Sequence, residues 1–586
     1  MYYQVVHLRD CHPGRIRHAL DELPEMLDET YERILRGISK ENSEFTHHLL
    51  QWVAVAVRPL RVDELAEIFA FDFNTASIPK FYEDRRLKDP LDAVLSTCSP
   101  LLSLVNVSDT LIIKFSHFSV KQFLTSARFA EKRDIISRRY HISMTPAHTL
   151  MAQACLGILL HLDENVTSDS LGRFPLAEYA AEHWIDHARF EGVSKIVEDG
   201  MNQLFDPNKS HLAVWIWMHD PEGVNQINLR STDRPERPLA VPPRGTPLHY
   251  AALCNLPRVI EFLVVERSQV VNSRAFDDES TPLRWALSGG HVEVARLLIA
   301  YDADVEAEDK DESTLLHQAA RSGSVEFAHL LVEHDADATA QDKDGSTPLH
   351  QVSRSGSVEL ARLLIDHGGD VTARDGHVST PLHQASKMGS IGLVRFLLEN
   401  FADVTARDEH ESTPLHQATR FGSVELVRLL VEHGADVTAQ DESGSTPLQQ
   451  AFGMGNVELV CFLLERVAHA RAQYTPGWTP LHQASKMGNV ELVRFLVEHG
   501  ADVAAQDEHG STPLHQASEM GSIELARVLI EHGADVTARD SNGSTPLHQA
   551  LNKQKAELAC FLVERGADVT ARDKRGLTPL HQGLKM

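Results

Sequence analysis

The chain has 586 residues, 42% hydrophobic and 24% charged, a globular balance too long for one core and so divided among several domains. Residues 1–250 hold 27 Lys+Arg against 34 Asp+Glu, and residues 251–586 hold 29 against 49, so −20 of the net −27 lies in the second part. A surface of that sign repels phosphate backbones and anionic lipid, which argues against nucleic-acid and membrane partners. No apolar run reaches the ~18 residues a membrane helix needs, and the N-terminus lacks a secretory layout. Six scattered cysteines without a C-x-x-C pair predict reduced, mostly buried thiols and a cytoplasmic location, with the nucleus as the alternative.

Residues 1–40 read as helix, with Leu27, Tyr31, Ile34, Leu35 and Ile38 on one face. A second helix is expected over about 43–57, carrying Leu49, Leu50, Val53 and Val57 and stopped by Pro59. A third spans Val62–Phe69 with Asp63 as its cap. After a helical turn at 91–96, Leu101–Val107 and Thr110–Phe115 flank Ser108-Asp109 and read as a hairpin. Three helices and a hairpin make a winged helix over 41–130. Its third helix carries Asp63, Glu64 and Glu67 with only Arg58 and Arg61 nearby, the wrong sign for reading DNA. An internal regulatory domain is the better reading.

Three segments in order, Arg17–Leu35, Val57–Ile68 and Phe115–Leu124, resemble the region that follows the nucleotidase in fungal NACHT–ankyrin proteins. These belong to the STAND class of signalling NTPases, relatives of animal and plant immune receptors, and the likeness covers about 1–230. It implies a winged helix that packs on the nucleotide-binding domain and helps hold it inactive, with self-association through this region as a further contact. The chain departs from the family at one point. There is no G-x-x-x-x-G-K-[ST], and no glycine is followed by lysine, so nothing cradles phosphates and the family's hydrolysis is not carried over. Met1-Tyr-Tyr-Gln reads as the tail of that module, and residues 1–40 as a remnant following it.

Residues 131–232 are expected to form a helical bundle. Leu150, Ala154, Leu156, Ile158 and Leu159 build one helix, Leu176–Trp184 another after Pro175, and Ile196–Phe205 a third. Asp233–Arg244 is a Pro-rich, semi-rigid linker.

From 245 to 586 a motif repeats. Thr-Pro-Leu-His or a close variant begins at Thr246, Thr281, Thr314, Thr347, Thr380, Thr413, Thr446, Thr479, Thr512, Thr545 and Thr578, the first interval 35 residues and the rest 33. That period with T-P-L-H-x-A marks ankyrin repeats, here ten and a truncated eleventh, and hence a mainly α fold, an α-solenoid behind the winged-helix and bundle region. In 413–445 the threonine caps the first helix, Pro414 sits in its first turn, Gly422 ends it and Ser423 caps the second. The histidines of the motif are structural. One repeat apart, about 10 Å by helix diameter, they cannot share a metal ion. Asp375, Asp408, Asp441, Asp507 and Asp540 are expected to tie down the finger turns. No H-E-x-x-H, G-x-S-x-G, EF-hand loop or Cys/His quartet is present, so neither catalysis nor a cofactor is expected.

Function in such an array falls on positions the fold leaves free. Before the mid-repeat glycine, one row runs Arg321, Arg354, Lys387, Arg420, Gly453, Lys486, Glu519 and Asn552. Beside it run Ser322, Ser355, Met388, Phe421, Met454, Met487, Met520 and Lys553. Trp478 lies near the same face, and finger tips add Glu409, His410, Glu508 and His509. Basic and apolar rows together predict a protein or peptide ligand in the groove, and the glutamine after each histidine suggests amides open to an extended peptide. The leading function is a non-enzymatic scaffold or ligand sensor. The alternatives are part of a signalling NTPase whose P-loop lies upstream, and an adaptor presenting bound proteins for modification. The irregular repeat 446–478, with Gln449 for histidine and Val467-Ala-His-Ala in place of Gly-Ala-Asp-Val, is the weak unit. Hydrogen exchange across the array is expected to be fastest around 464–478; uniform protection there contradicts this.

Overall fold

Apolar side chains set three and four apart drive the first helices together. In this computed structural model the described residues are 27–73, 77–92, 94, 101–107, 110–132, 134–221, 243–466 and 478–583. Helix α1 (27–36) buries Tyr31 and Leu35, and α2 (Ser43–Val55) buries Leu49, Leu50, Trp52 and Val55. Short strand β1 (Leu60–Arg61) leads into α3 (Val62–Ala66) and a 3₁₀ turn at Glu67–Ala70. Strands β2 (Phe71–Asp72) and β3 (Lys80–Phe81) pair antiparallel, a small ribbon absent from the sequence reading. The hairpin forms as β4 (Leu102–Val107) and β5 (Thr110–Phe115), with β5 central and β1 on its other side through Leu60↔Ile113. The hairpin turn Ser108-Asp109 and residues 95–96 lie outside the described residues, as do residues 1–26 and the Pro-rich stretch up to 242.

Two local expectations are corrected. The second helix ends at Val55, and Val57 is 53% exposed rather than on its buried face. Pro59 disfavours helical geometry at Arg58, and the Tyr179 hydroxyl accepts the Val57 N–H at 3.1 Å. The cap of α3 is Arg61, not Asp63. Glu64 reaches back to the Arg61 N–H at 2.7 Å, closing the box that a carboxylate at the third helical position makes.

The charges beside α3 are consumed internally. Glu64 is fully buried and takes both Arg58 guanidinium nitrogens at 2.8 and 2.9 Å. Arg86 holds buried Glu67 at 2.8 Å. Arg61 donates to the Pro175 carbonyl and lies 3.7 Å from Glu178. The cations flanking this helix are thus spent on its own carboxylates and on the neighbouring helix.

That neighbour belongs to the bundle. Helices α4 (Phe118–Thr125), α5 (Ala127–Glu131) and α6 (Ile135–Tyr140) follow the hairpin. They lead to α7 (Met144–His161), α8 (Ser168–Leu171), α9 (Leu176–Ala188), α10 (Glu198–Leu204) and α11 (His211–Met218). The third bundle helix starts two residues later than its apolar pattern, leaving Ile196 exposed. Trp184, Phe205 and Trp215 are buried together, ring centroids 5.7 to 6.2 Å apart. Among the described residues no helix is long and apolar enough to cross a membrane. Cys155 and Cys254 are buried, Cys461 is half-buried and Cys560 is exposed.

The chain divides into two compact units, Met1–Lys310 and Asp311–Met586. The first holds the winged helix, the bundle and the repeats that begin at Thr246 and Thr281. Here the bundle seats the first repeat through Arg258–Glu198 and Arg267–Asp206, each 2.8 Å, and through Arg189 on the Cys254 carbonyl. The second unit holds the helix pairs from Leu315–Ser322 onward. In each pair an inner helix of seven or eight residues is followed by an outer one, such as Pro414–Phe421 and Val424–Glu432.

Candidate functional site

The site is built on what the repeat motif leaves over, so the motif comes first. Thr413 receives the His416 N–H side of a capping box, and the His416 Nδ1 accepts from the Thr413 N–H at 3.1 Å and faces its hydroxyl at 2.9 Å. The opposite nitrogen, Nε2, donates to the Ser445 carbonyl of the next repeat at 3.1 Å. The same three bonds recur at His249, His317, His350, His383, His482, His515 and His548. With Nδ1 accepting and Nε2 donating, the hydrogen bonds place the ring proton on Nε2. Burial lowers the pKa of His350, His383, His416, His482 and His515, and holds His249 down to about 4. Gln449 reproduces the box, its amide oxygen taking the Thr446 N–H at 2.7 Å.

The finger aspartates work as anticipated. Asp408 Oδ1 accepts the N–H groups of His410 and Ser412, both at 2.9 Å. Its Oδ2 takes the Gln417 amide at 3.1 Å. That last bond engages part of the amide ladder. Gln351, Gln384, Gln417, Gln450 and Gln582 turn their NH₂ groups onto their own finger aspartate, each keeping a second N–H.

What remains exposed is the end of the inner helices. Arg354, Lys387, Met388, Arg420, Phe421, Met454, Lys486 and Met520 are exposed, and Met487 and Trp478 are half-buried. A recess of about 540 Å³ brings Lys387, Arg420 and Phe421 together with finger residues His377, Glu409 and His410. The Phe421 ring lies over Gly389, where an added Cβ would come within 2.2 Å of it, yet it stays 54% exposed. Finger tips are linked by His377–Glu409 at 2.7 Å and His410–Glu442 at 3.0 Å. The Glu442 hydrogen bond raises the His410 pKa. The other named residues fall outside this recess. Lys486 sits over the Trp478 ring, whose indole N–H donates to Gln483, and the His509 ring lies 3.6 Å from its neighbour Glu508. Met487 and Met520 line the glycines of their preceding repeats, Gly455 and Gly488.

Sequence reasoning missed a mark on the same recess. Among the described fingers from 342 onward, the turn residue is glycine with positive φ at Gly345, Gly444, Gly510, Gly543 and Gly576. It is Val378 (φ 59°) and Glu411 (φ 56°) in the two fingers lining the recess, as it is Glu279 (φ 58°) and Glu312 (φ 57°) in two earlier fingers. A β-branched residue there is a backbone outlier, and strain of this kind gathers at functional sites. Phe401, φ 65° and 91% exposed, likewise stands where Gly368, Gly434, Gly500, Gly533 and Gly566 end outer helices. The signal was available as departures from glycine in register. Among the described residues no group of His, Cys, Asp and Glu is placed to hold a metal ion.

Helix pairs started by a Thr–His box and returned through a pinned finger define a solenoid repeat protein. The family model for ankyrin repeats matches residues 248–342, 316–408, 407–474, 467–540 and 510–573, together more than half of the chain, and the chain belongs to the ankyrin-repeat family. A second model, described as the GPI inositol-deacylase winged helix domain, matches residues 31–134. The chain is 30% identical over 301 residues to the Azaphilone pigments biosynthesis cluster protein L of Monascus ruber, covering 49% of this chain and 61% of that protein. It thus spans less than two thirds of that relative's length.

The histidine bonds predict a graded response. His416→Gln keeps the box but loses the bond to Ser445, at about 1 kcal/mol. His416→Ala also strands the Thr413 N–H and leaves a cavity, at about 3 kcal/mol. Chemical denaturation of the chain should rank wild type, Gln, then Ala; equal loss in both variants removes the inter-repeat bond from the account. Because the unfolded rings take up protons near pH 6.5 while the folded ones stay neutral, stability is lost as pH falls below that value. The melting temperature should drop from pH 7 to pH 5, and less steeply in His416→Gln. A flat profile contradicts the burial argument.

Proposed function

We propose that this chain is a non-enzymatic interaction protein, binding a protein or peptide partner in the recess around Lys387, Arg420 and Phe421. One observation carries the reading. The motif residues are spent on the fold, whereas a half-exposed aromatic and exposed cations meet over two finger turns held in strained geometry. Ankyrin repeats as a class support protein interaction. Met454, Trp478, Lys486, Met487, Met520 and His509 extend the surface along the later repeats. A winged-helix domain of a NACHT-associated type supports the finer reading: a scaffold or ligand-sensing region of an NLR-like signalling protein, cytoplasmic, whose winged helix tethers it to an NTPase module. The internally paired charges around α3 favour a protein contact over DNA there.

The test is partner capture by the full chain carrying Phe421→Ala, Met454→Ala or Trp478→Ala. Specific partners should be lost or weakened at least about tenfold with Phe421→Ala, the scale of a buried aromatic anchor, and less with the other two. Capture unchanged in all three variants sinks the groove reading.

A further inference from the structure

Four neighbouring inner helices, Leu315–Ser322, Pro348–Ser355, Pro381–Lys387 and Pro414–Phe421, pack side by side in register. Each carries one cation in its last turn: Arg321, Arg354, Lys387 and Arg420. All four are exposed. Among the described residues Arg321, Arg354 and Lys387 have no carboxylate within ion-pair distance. Arg354 donates only to the Gln351 amide oxygen at 3.3 Å, and Arg420 lies 3.5 Å from Asp441. Several other cations of this unit are occupied. Arg362, Arg428 and Arg527 lie over the rings of Phe396, Phe462 and Phe561, and Arg374, Arg407 and Arg539 hold carbonyls of the following finger. A row of four exposed cations, three of them without an ion pair among the described residues, is unexpected where acids outnumber bases 49 to 29 over residues 251–586.

Resting on the groove reading above, we propose that the row recognises a peptide with a carboxylate at every third residue, bound as a polyproline II helix. The spacing decides the conformation. Packed helix axes lie about 10 Å apart, and a polyproline II chain returns the same face every three residues, about 9 Å. A β-strand returns it at about 7 or 13 Å, neither of which matches the helix spacing. An α-helix returns a face at about 10.5 Å but needs about twenty-two residues to meet four cations. A polyproline II chain does so with ten and orders far less chain on binding. The row stops at Gly453, which sets the length at four charges. Beside the last two cations, Met388 and Phe421 offer apolar cover.

Fluorescence anisotropy with the full chain tests this. The probe is a labelled synthetic peptide of four Glu-Pro-Pro units, compared with a peptide of the same composition whose four glutamates are contiguous. The periodic peptide should bind about tenfold tighter, and Lys387→Ala or Arg354→Ala should each weaken it about three- to tenfold. Arg395→Ala, on an outer helix, should leave it unchanged. Equal binding of the two peptides, indifference to Lys387→Ala, or preference for a helical peptide with glutamate every seventh residue overturns the proposal. Preference for a single-stranded oligonucleotide does the same. A Leu-Pro-Pro peptide that binds best, and is lost with Phe421→Ala, overturns the carboxylate pattern while leaving the groove reading intact. If none of these peptides binds, the carboxylate pattern fails, and partner capture with Phe421→Ala judges the groove separately.

Discussion

A 33-residue helix pair cannot bury its apolar surface alone, so each repeat depends on a bond that crosses to its neighbour. Here that bond is the imidazole Nε2–H to the carbonyl 29 residues on, as in His416 to Ser445 and His515 to Ser544. Its geometry is set by the other nitrogen, which closes a capping box with the threonine that starts the inner helix. One ring therefore fixes where a helix begins and how the following finger is placed. The finger aspartate then uses one oxygen for the turn and the other for the glutamine beside the histidine. In the repeats of His350, His383 and His416, Thr, His, Gln and Asp make one closed polar circuit, which offsets the cost of burying such groups.

The same economy governs Met1–Lys310. Buried Glu64 and Glu67 survive without water because Arg58, Arg61 and Arg86 are turned inward onto them. The helix that would read DNA in a winged helix is instead a packing element against Pro175 and Glu178 of the bundle. At its other end the bundle receives the first repeat through Arg189, Arg258 and Arg267. A solenoid needs a polar cap at its end, and the bundle supplies one within this unit.

Against so much internal satisfaction, the recess at 377–421 stands out for what is left undone. Lys387 has no carboxylate within ion-pair distance among the described residues, the Phe421 ring lies over Gly389 yet stays half exposed, and Val378 and Glu411 hold positive φ at a position that Gly345, Gly444, Gly510, Gly543 and Gly576 fill elsewhere in this unit. Each departure costs stability locally. They coincide in two adjacent repeats.

Much of this was legible from residue order. The 33-residue ruler, the Thr cap, Gly422 at the helix end and Ser423 as the second cap follow from local chemistry, because each acts within a few residues of itself. The rows containing Lys387, Arg420 and Phe421 were legible for the same reason: register alone places them past the motif. Partnering was not legible. Gln417 reads as a free groove amide until the fold sets it against Asp408, nine residues back, and Asp63 reads as a cap until Glu64 is found to have reached Arg61. The sequence by itself determined the repeat, its boundaries and the positions free to vary. Only the tertiary structure decided which of those positions are already engaged, since hydrogen bonds and ion pairs depend on distances between elements that local propensity does not set.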